Sequence, residues 1–215
     1  MGGILDGHVE WAIINRLKAM LDEPPATKFN VTQTFALFSA VLLWTKNRGW
    51  VAGNNAGNLN FTDAADQAAH SFRQLLGNEV ITSQPWSLPL HEPQFPVLAE
   101  HEGIAANPIN ADFRDMPVEQ FVKWLRDAFG HGDGRTIRPL HKKGKHGDQT
   151  WLSGFRVKFN ETQNSNRKLD LHFYEADMRR IGSLLADRFC RALAAAPTYY
   201  NEDVATRVVE EGKVA

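Results

Sequence analysis

The sequence predicts a mostly α-helical protein: an up-and-down bundle of four helices with a long insertion and a small β-hairpin ahead of the last helix. Three observations predict it. Apolar residues recur at three- and four-residue steps over several long stretches, the period of a helix with one buried face. Apolar and polar residues alternate at 151–159 and 168–173. Prolines at 85, 89, 93, 96 and 108 crowd one internal segment, where they argue against continuous regular structure.

The first helix is expected over about Gly7 to Leu21, with Val9, Ile13, Leu17 and Met20 on one face, ending before Pro24-Pro25. A second, over about Val31 to Asn47, is apolar nearly all round through Phe35, Leu37, Phe38, Val41, Leu42, Leu43 and Trp44. Such a helix belongs in the middle of a bundle or against a partner chain. Residues 48–60 hold Gly49, Gly53, Asn54, Asn55, Gly57 and Asn58 and read as a loop. Their glycines make no phosphate cradle, because no Gly-Lys-Ser or Gly-Lys-Thr follows and no strand precedes. Thr62 opens a short helix with Ala65, Ala68, Ala69, Phe72, Leu75 and Leu76 in its pattern, and 83–108 is irregular. The whole of 48–115 is thus expected to be an insertion.

The next helix carries the chemistry. Asp115 or Met116 leads into it, Pro117 suits its first position, and Val118, Phe121, Val122, Leu125, Ala128 and Phe129 line its apolar face. Lys123, Arg126 and Asp127 fall off that face, and Gly130 is the expected stop. His131 follows. Residues five apart on a continuous helix point roughly 140° away from each other, so a left-handed turn at Gly130 is expected to swing His131 back beside Arg126.

Residues 132–147 read as a basic loop carrying Arg135, Arg138, Lys142, Lys143 and Lys145, with His131, His141 and His146 close by in sequence. In a chain whose net charge is only −1, this is where positive charge collects for a phosphate backbone. The same composition also suits a solvated loop whose charges bind nothing. A metal site built from His131, Asp133, His141 and His146 is disfavoured: there is no paired cysteine and no His-Glu-x-x-His, and Lys142, Lys143 and Lys145 would repel a cation. No metal or cofactor is expected. The two alternating runs form a hairpin, and a last helix over about Tyr174 to Ala196 uses Met178, Ile181, Leu185, Phe189, Ala192 and Leu193, closing at Pro197. Residues 201–215 read as a loose polar tail.

Composition narrows the field. With 43% hydrophobic and 23% charged residues, the chain is ordinary for a globular domain, expected over 1–200. The single cysteine, Cys190, excludes an internal disulfide and sits in an apolar helical pattern as a buried thiol. With neither a leader-like segment nor an apolar run approaching the ~20 residues of a membrane span, a cytoplasmic protein is expected.

Arg126 and Asp127, three further residues, His131 and then Gly132-Asp133 together resemble the R-x4-H signature of the HEPN superfamily. Its members are small helical domains, many of them metal-independent ribonucleases of toxin–antitoxin, CRISPR and other defence or RNA-processing systems. The resemblance implies a four-helix bundle, Arg126 and His131 as the catalytic pair, and Asp127 in the position where the family usually has Asn, Asp or His. It also implies RNA as substrate, a homodimer with a composite groove, and an antitoxin as a possible partner. One departure stands out: Asp133 occupies the place of the tyrosine on which certain HEPN toxins are modified by a nucleotidyltransferase. Two other readings fit the same residues: a non-catalytic HEPN-like module binding RNA, nucleotide or protein through the basic loop, and a structural helical dimer joined through Phe35, Phe38 and Trp44.

Overall fold

The computed structural model describes residues 9–23, 29–55, 64–91, 109–143 and 150–195. Among them are five helices: α1 (Val9–Asp22), α2 (Asn30–Asn55), α3 (Ala64–Gly77), α4 (Val118–His131) and α5 (Glu175–Ala194). A small antiparallel sheet lies between the last two, with β1 (Ile137–Lys143), β2 (Thr150–Asn160) and β3 (Lys168–Tyr174) in that order. The architecture is therefore mostly helical, as the periodicity predicts. None of the described helices is long and apolar enough to cross a membrane.

α5 is the central helix and packs against α1, α2 and α3. Its close approach is permitted at Gly182, where a Cβ atom would stand 2.9 Å from both Leu21 Cδ1 and Phe38 Cδ2. Phe189 of α5 meets Phe72 of α3 edge-on, with ring centroids 5.3 Å apart, a favoured aromatic geometry. Burial of Cys190 pushes its thiol up to about 12, as suits a packing residue.

α2 departs from the expected pattern in two ways. It continues through the turn formers at 48–55, so this part of the expected loop is helix. Tertiary contacts override the local cost of glycine, about 1 kcal/mol in a helix interior. Gly49 faces α3, where a Cβ would make ordinary contact with Phe72 and Ala69. Trp50 is buried, and Arg48 reaches Glu10 of α1 and Asp66 of α3 at once. Nor is α2 apolar-buried all round: Leu37 and Leu43 are half-buried and Trp44 is exposed. α3 packs against α2, α4 and α5, so the segment between α2 and α4 contributes a core helix.

Residues 78–91 after α3 are irregular, as Pro85 and Pro89 require, yet pinned, while residues 92–108 lie outside the described residues. Trp86 is fully buried and donates from Nε1 to Glu79 Oε2 at 2.7 Å, while Arg188 lies over its ring. Pro117 takes the N-cap of α4, so the helix begins at Val118, one residue later than expected, and Val118 donates to the Glu79 carbonyl at 2.8 Å.

The expected hairpin is there as β2 and β3, but β1 joins it from within the segment read as a basic loop. Ile137 pairs with Val157, and a bulge between Leu140 and His141 admits one extra β2 residue, Ser153, whose hydroxyl donates to the Leu140 carbonyl at 3.0 Å. Val157, Leu169, Leu171 and Phe173 bury the inner face of the sheet. Phe173 packs on Phe38 of α2 and Phe121 of α4, and Phe35 packs on Phe155, which fixes the sheet beside the end of α4. The free edge of β3 is closed by Asn110, which donates from Nδ2 to the His172 carbonyl at 3.1 Å and accepts from the His172 N–H at 2.7 Å. Residues 201–215 and the loop residues 56–60 lie outside the described residues.

Candidate active site at the end of α4

Every proposed catalytic residue stands on α4. Its buried face is Val118, Phe121, Val122, Trp124, Leu125 and Ala128, which leaves Arg126 and Asp127 on the rim with about 28% and 29% of their side chains exposed. Arg126 Nη1 donates to Asp127 Oδ1 at 2.9 Å. Arg126 Nε is buried without a hydrogen-bond partner among the described residues.

The helix does not break at Gly130. It runs through Gly130 to His131, and Gly132 takes the C-cap in extended backbone, φ −79° and ψ 160°. The left-handed turn that was to bring His131 back to Arg126 is absent, because the residue the reversal depends on is Gly132. A Cβ there would lie 2.2 Å from the Ala128 carbonyl oxygen and 2.9 Å from Thr136 Cγ2, whereas one on Gly130 would meet nothing within 4 Å. The next residues complete the turn. Asp133 Oδ1 accepts from the Arg135 N–H at 2.8 Å, and the Asp133 carbonyl accepts from Thr136 and Ile137, both at 2.9 Å. Thus His131-Gly132-Asp133-Gly134-Arg135-Thr136 is the reversal that feeds α4 into β1.

On this uninterrupted helix Arg126 and His131 diverge by roughly 140°. Asp127 and His131, four positions apart, share one face. Both line a half-enclosed recess of about 320 Å³ whose other walls are Trp124 and the end of β2 with the turn after it, residues 159–163. Asp127 is the link: it holds Arg126 on one side and faces the His131 recess on the other.

The basic residues are dispersed. Arg135 is 89% exposed and gripped by Asp133, with Nε and Nη2 at 2.9 and 2.6 Å from Oδ2. Those bonds from Arg135 hold the Asp133 carboxyl down to about 2. Arg138 is exposed on β1 opposite Arg156, which is itself bound to Asp170 at 2.8 Å. Lys142 is exposed opposite Trp151, beyond the bulge. Lys143 ends β1 opposite Thr150, its side chain outside the description, and Lys145 lies outside the described residues.

Sequence reasoning passed over Lys46, Trp124 and the turn at 159–163. Lys46 had a signal: Phe35, Phe38, Leu42 and Lys46 follow three- and four-residue steps, the face of α2 turned to α4. The turn at 159–163 had none, since only the strand pairing brings it to α4.

Among the described residues no group of three His, Cys, Asp or Glu side chains is placed to hold a metal ion. In comparisons with known proteins, no family model, curated sequence or solved structure matched the chain.

Proposed function

We propose that the chain is a metal-independent endoribonuclease of HEPN type, with α1, α2, α4 and α5 as its up-and-down bundle, acting as a homodimer. The observation that carries this reading is the placement of Asp127 between a bonded arginine and an exposed histidine at the end of α4.

Cleavage of RNA by its own 2′-hydroxyl needs three things. A base takes the 2′ proton as the 2′-oxygen bonds to phosphorus; an acid protonates the 5′-oxygen as its bond to phosphorus breaks; a cation stabilises the charged phosphorane between them. One chain holds one histidine and one arginine in this motif, pointing apart. Two copies of α4 across a twofold axis supply two of each, so that His131 of one protomer acts as base, His131 of the other as acid, and the guanidinium of Arg126 as the cation. Asp127 is a positioning residue that fixes the Arg126 fork. Arg135, Arg138, Lys142, Lys143 and Lys145 contact the RNA backbone. A toxin of a toxin–antitoxin or antiphage system, at work in the cytoplasm and opposed by an antitoxin protein, is the setting this activity suits.

The products test the chemistry. RNA cut by this route ends in a 2′,3′-cyclic phosphate, and a 2′-O-methyl group at the cut position abolishes cleavage there; cutting at the methylated position overturns the mechanism. The same divergence of Arg126 and His131 favours a second reading if the chain proves monomeric: a non-catalytic module that binds RNA, nucleotide or a protein partner. Sedimentation equilibrium separates the two.

A further inference from the structure

Positive charge gathers on the seam between α2 and α4, away from the basic segment of the sequence. Lys46 comes from α2, Arg73 from α3, and Lys123 and Arg126 from α4, three positions apart and hence on one helix face. Buried Trp50 marks the lower end of this seam, with Lys46 Nζ 5.7 Å and the Arg73 guanidinium 5.0 Å from its ring centroid. Two carboxylates answer the four cations: Glu119 takes Arg73 at 2.6 Å and Asp127 takes Arg126 at 2.9 Å. Neither Lys46 nor Lys123 forms an ion pair among the described residues, and Arg126 Nε is buried without a partner there.

This is an uneven balance, with Lys46, Arg73 and Arg126 half-buried and Lys123 exposed. Burial lowers the affinity of Lys46 for its proton, the charge of Arg126 lowers it further, Asp127 offsets part of that, and Lys123 and Arg73 add to the lowering. Four cations answered by two carboxylates are complementary to an anion with several acceptor oxygens.

We propose that Lys46, Lys123 and Arg126 form an anion site on the α2–α4 seam that takes a phosphate group of an RNA backbone. The assignment to RNA rests on the reading of α4 given above; the excess of cations does not. The site runs on into the proposed active centre. From Lys123 to His131 the helix rises about 12 Å, at ~1.5 Å per residue, which leads a strand held at Lys46 and Lys123 past Arg126 toward the recess. Lys46 is therefore a binding residue that holds the strand in register for cleavage at His131.

The test is binding of a fluorescent, uncleavable 2′-O-methyl RNA oligonucleotide across a salt series, followed by anisotropy. Lys46→Gln is expected to bind roughly tenfold more weakly, with a salt slope smaller by about 1; Lys46→Arg is expected to bind like the wild type. Lys123→Gln, at an exposed position that leaves the fold alone, is expected to weaken binding in the same sense. Unchanged affinity and slope in Lys46→Gln and Lys123→Gln, or no binding by the wild type, overturns the proposal. Inorganic phosphate supplies the second arm: thermal stabilisation of the wild type by phosphate, lost in Lys46→Gln, alongside RNA binding indifferent to Lys46 makes this a free-anion site and overturns the assignment to RNA. Cleavage is scored separately. Lys46-dependent binding without cleavage sustains the anion site and removes the nuclease reading; cleavage with binding indifferent to Lys46 does the reverse.

Discussion

Arg126 and Asp127 are neighbours in sequence and bonded in space: Nη1 of the arginine donates to Oδ1 of the aspartate at 2.9 Å. Neighbouring residues on a helix point about 100° apart, so this bond draws the guanidinium toward the face that carries His131. The guanidinium is thereby held at the border between the α2 seam and that face.

Replacing Asp127 tests that role. Asp127→Ala is expected to lower kcat for RNA on the order of 10- to 100-fold, the cost of a misplaced group, while KM changes little. Asp127→Asn keeps an acceptor oxygen and is expected to recover much of the loss. Equal kcat in all three proteins would show that the pair has no part in positioning.

The two glycines beside His131 are expected to behave differently. Gly130 is helical with open space around it, so Gly130→Ala should stabilise the fold by about 0.5–1 kcal/mol and leave activity intact. Gly132→Ala forces a Cβ into the Ala128 carbonyl and Thr136, parting α4 from β1, and is expected to destabilise the protein and impair activity together. Urea unfolding with a cleavage assay on both variants separates the positions; a reversed order contradicts the placement of the turn at Gly132.

These glycines also show where sequence reasoning succeeds and stops. The apolar faces of α4 and α5 and the alternation in β2 and β3 were legible because each is a local period imposed by burial; the face expected for α1 was not, since Val9 and Met20 are exposed while Ala12, Ile14 and Leu21 are buried. Gly130 was read as the stop by propensity, a weak prior that the packing of Gly132 against Ala128 and Thr136 outweighs. Arg48 and Trp50 extend α2 through turn-forming residues for the same reason: their partners, Glu10, Asp66 and Arg73, lie on other helices. Arg126 and Asp127 were legible on one helix, whereas His131, expected beyond a stop at Gly130, is the last residue of that helix. The recess at residues 159–163 and the seam at Lys46 were not legible, since each depends on two distant segments meeting.

Asn110 replaces a strand at the edge of β3. It holds φ 57° and ψ 18°, a left-handed conformation that asparagine tolerates, is 3% exposed, and bonds the His172 backbone and the Pro89 carbonyl. Asn110→Ala is expected to cost about 2 kcal/mol, by leaving buried backbone groups unpaired. Chemical denaturation checks this, and hydrogen exchange at His172 is expected to quicken. A stability equal to wild type would mean that the edge needs no such closure.

Cys190 is expected to be inert. Its thiol is buried, has its pKa pushed up to about 12, and lies 3.7 Å from the Trp11 carbonyl it faces. A thiol reagent at pH 8 should modify the native protein only at the rate of unfolding and the urea-denatured protein at once. Rapid native labelling would contradict the packing of α5 on α1.

The central claim is metal-independent cleavage by Arg126 and His131, and one measurement meets it directly. Purified wild type, Arg126→Ala and His131→Ala are each incubated with single-stranded RNA in excess EDTA, and the product lengths and termini are determined. The account predicts cleavage by the wild type to 2′,3′-cyclic phosphate ends, and its loss in both variants. Intact RNA with the wild type, or equal cutting by all three proteins, would contradict it.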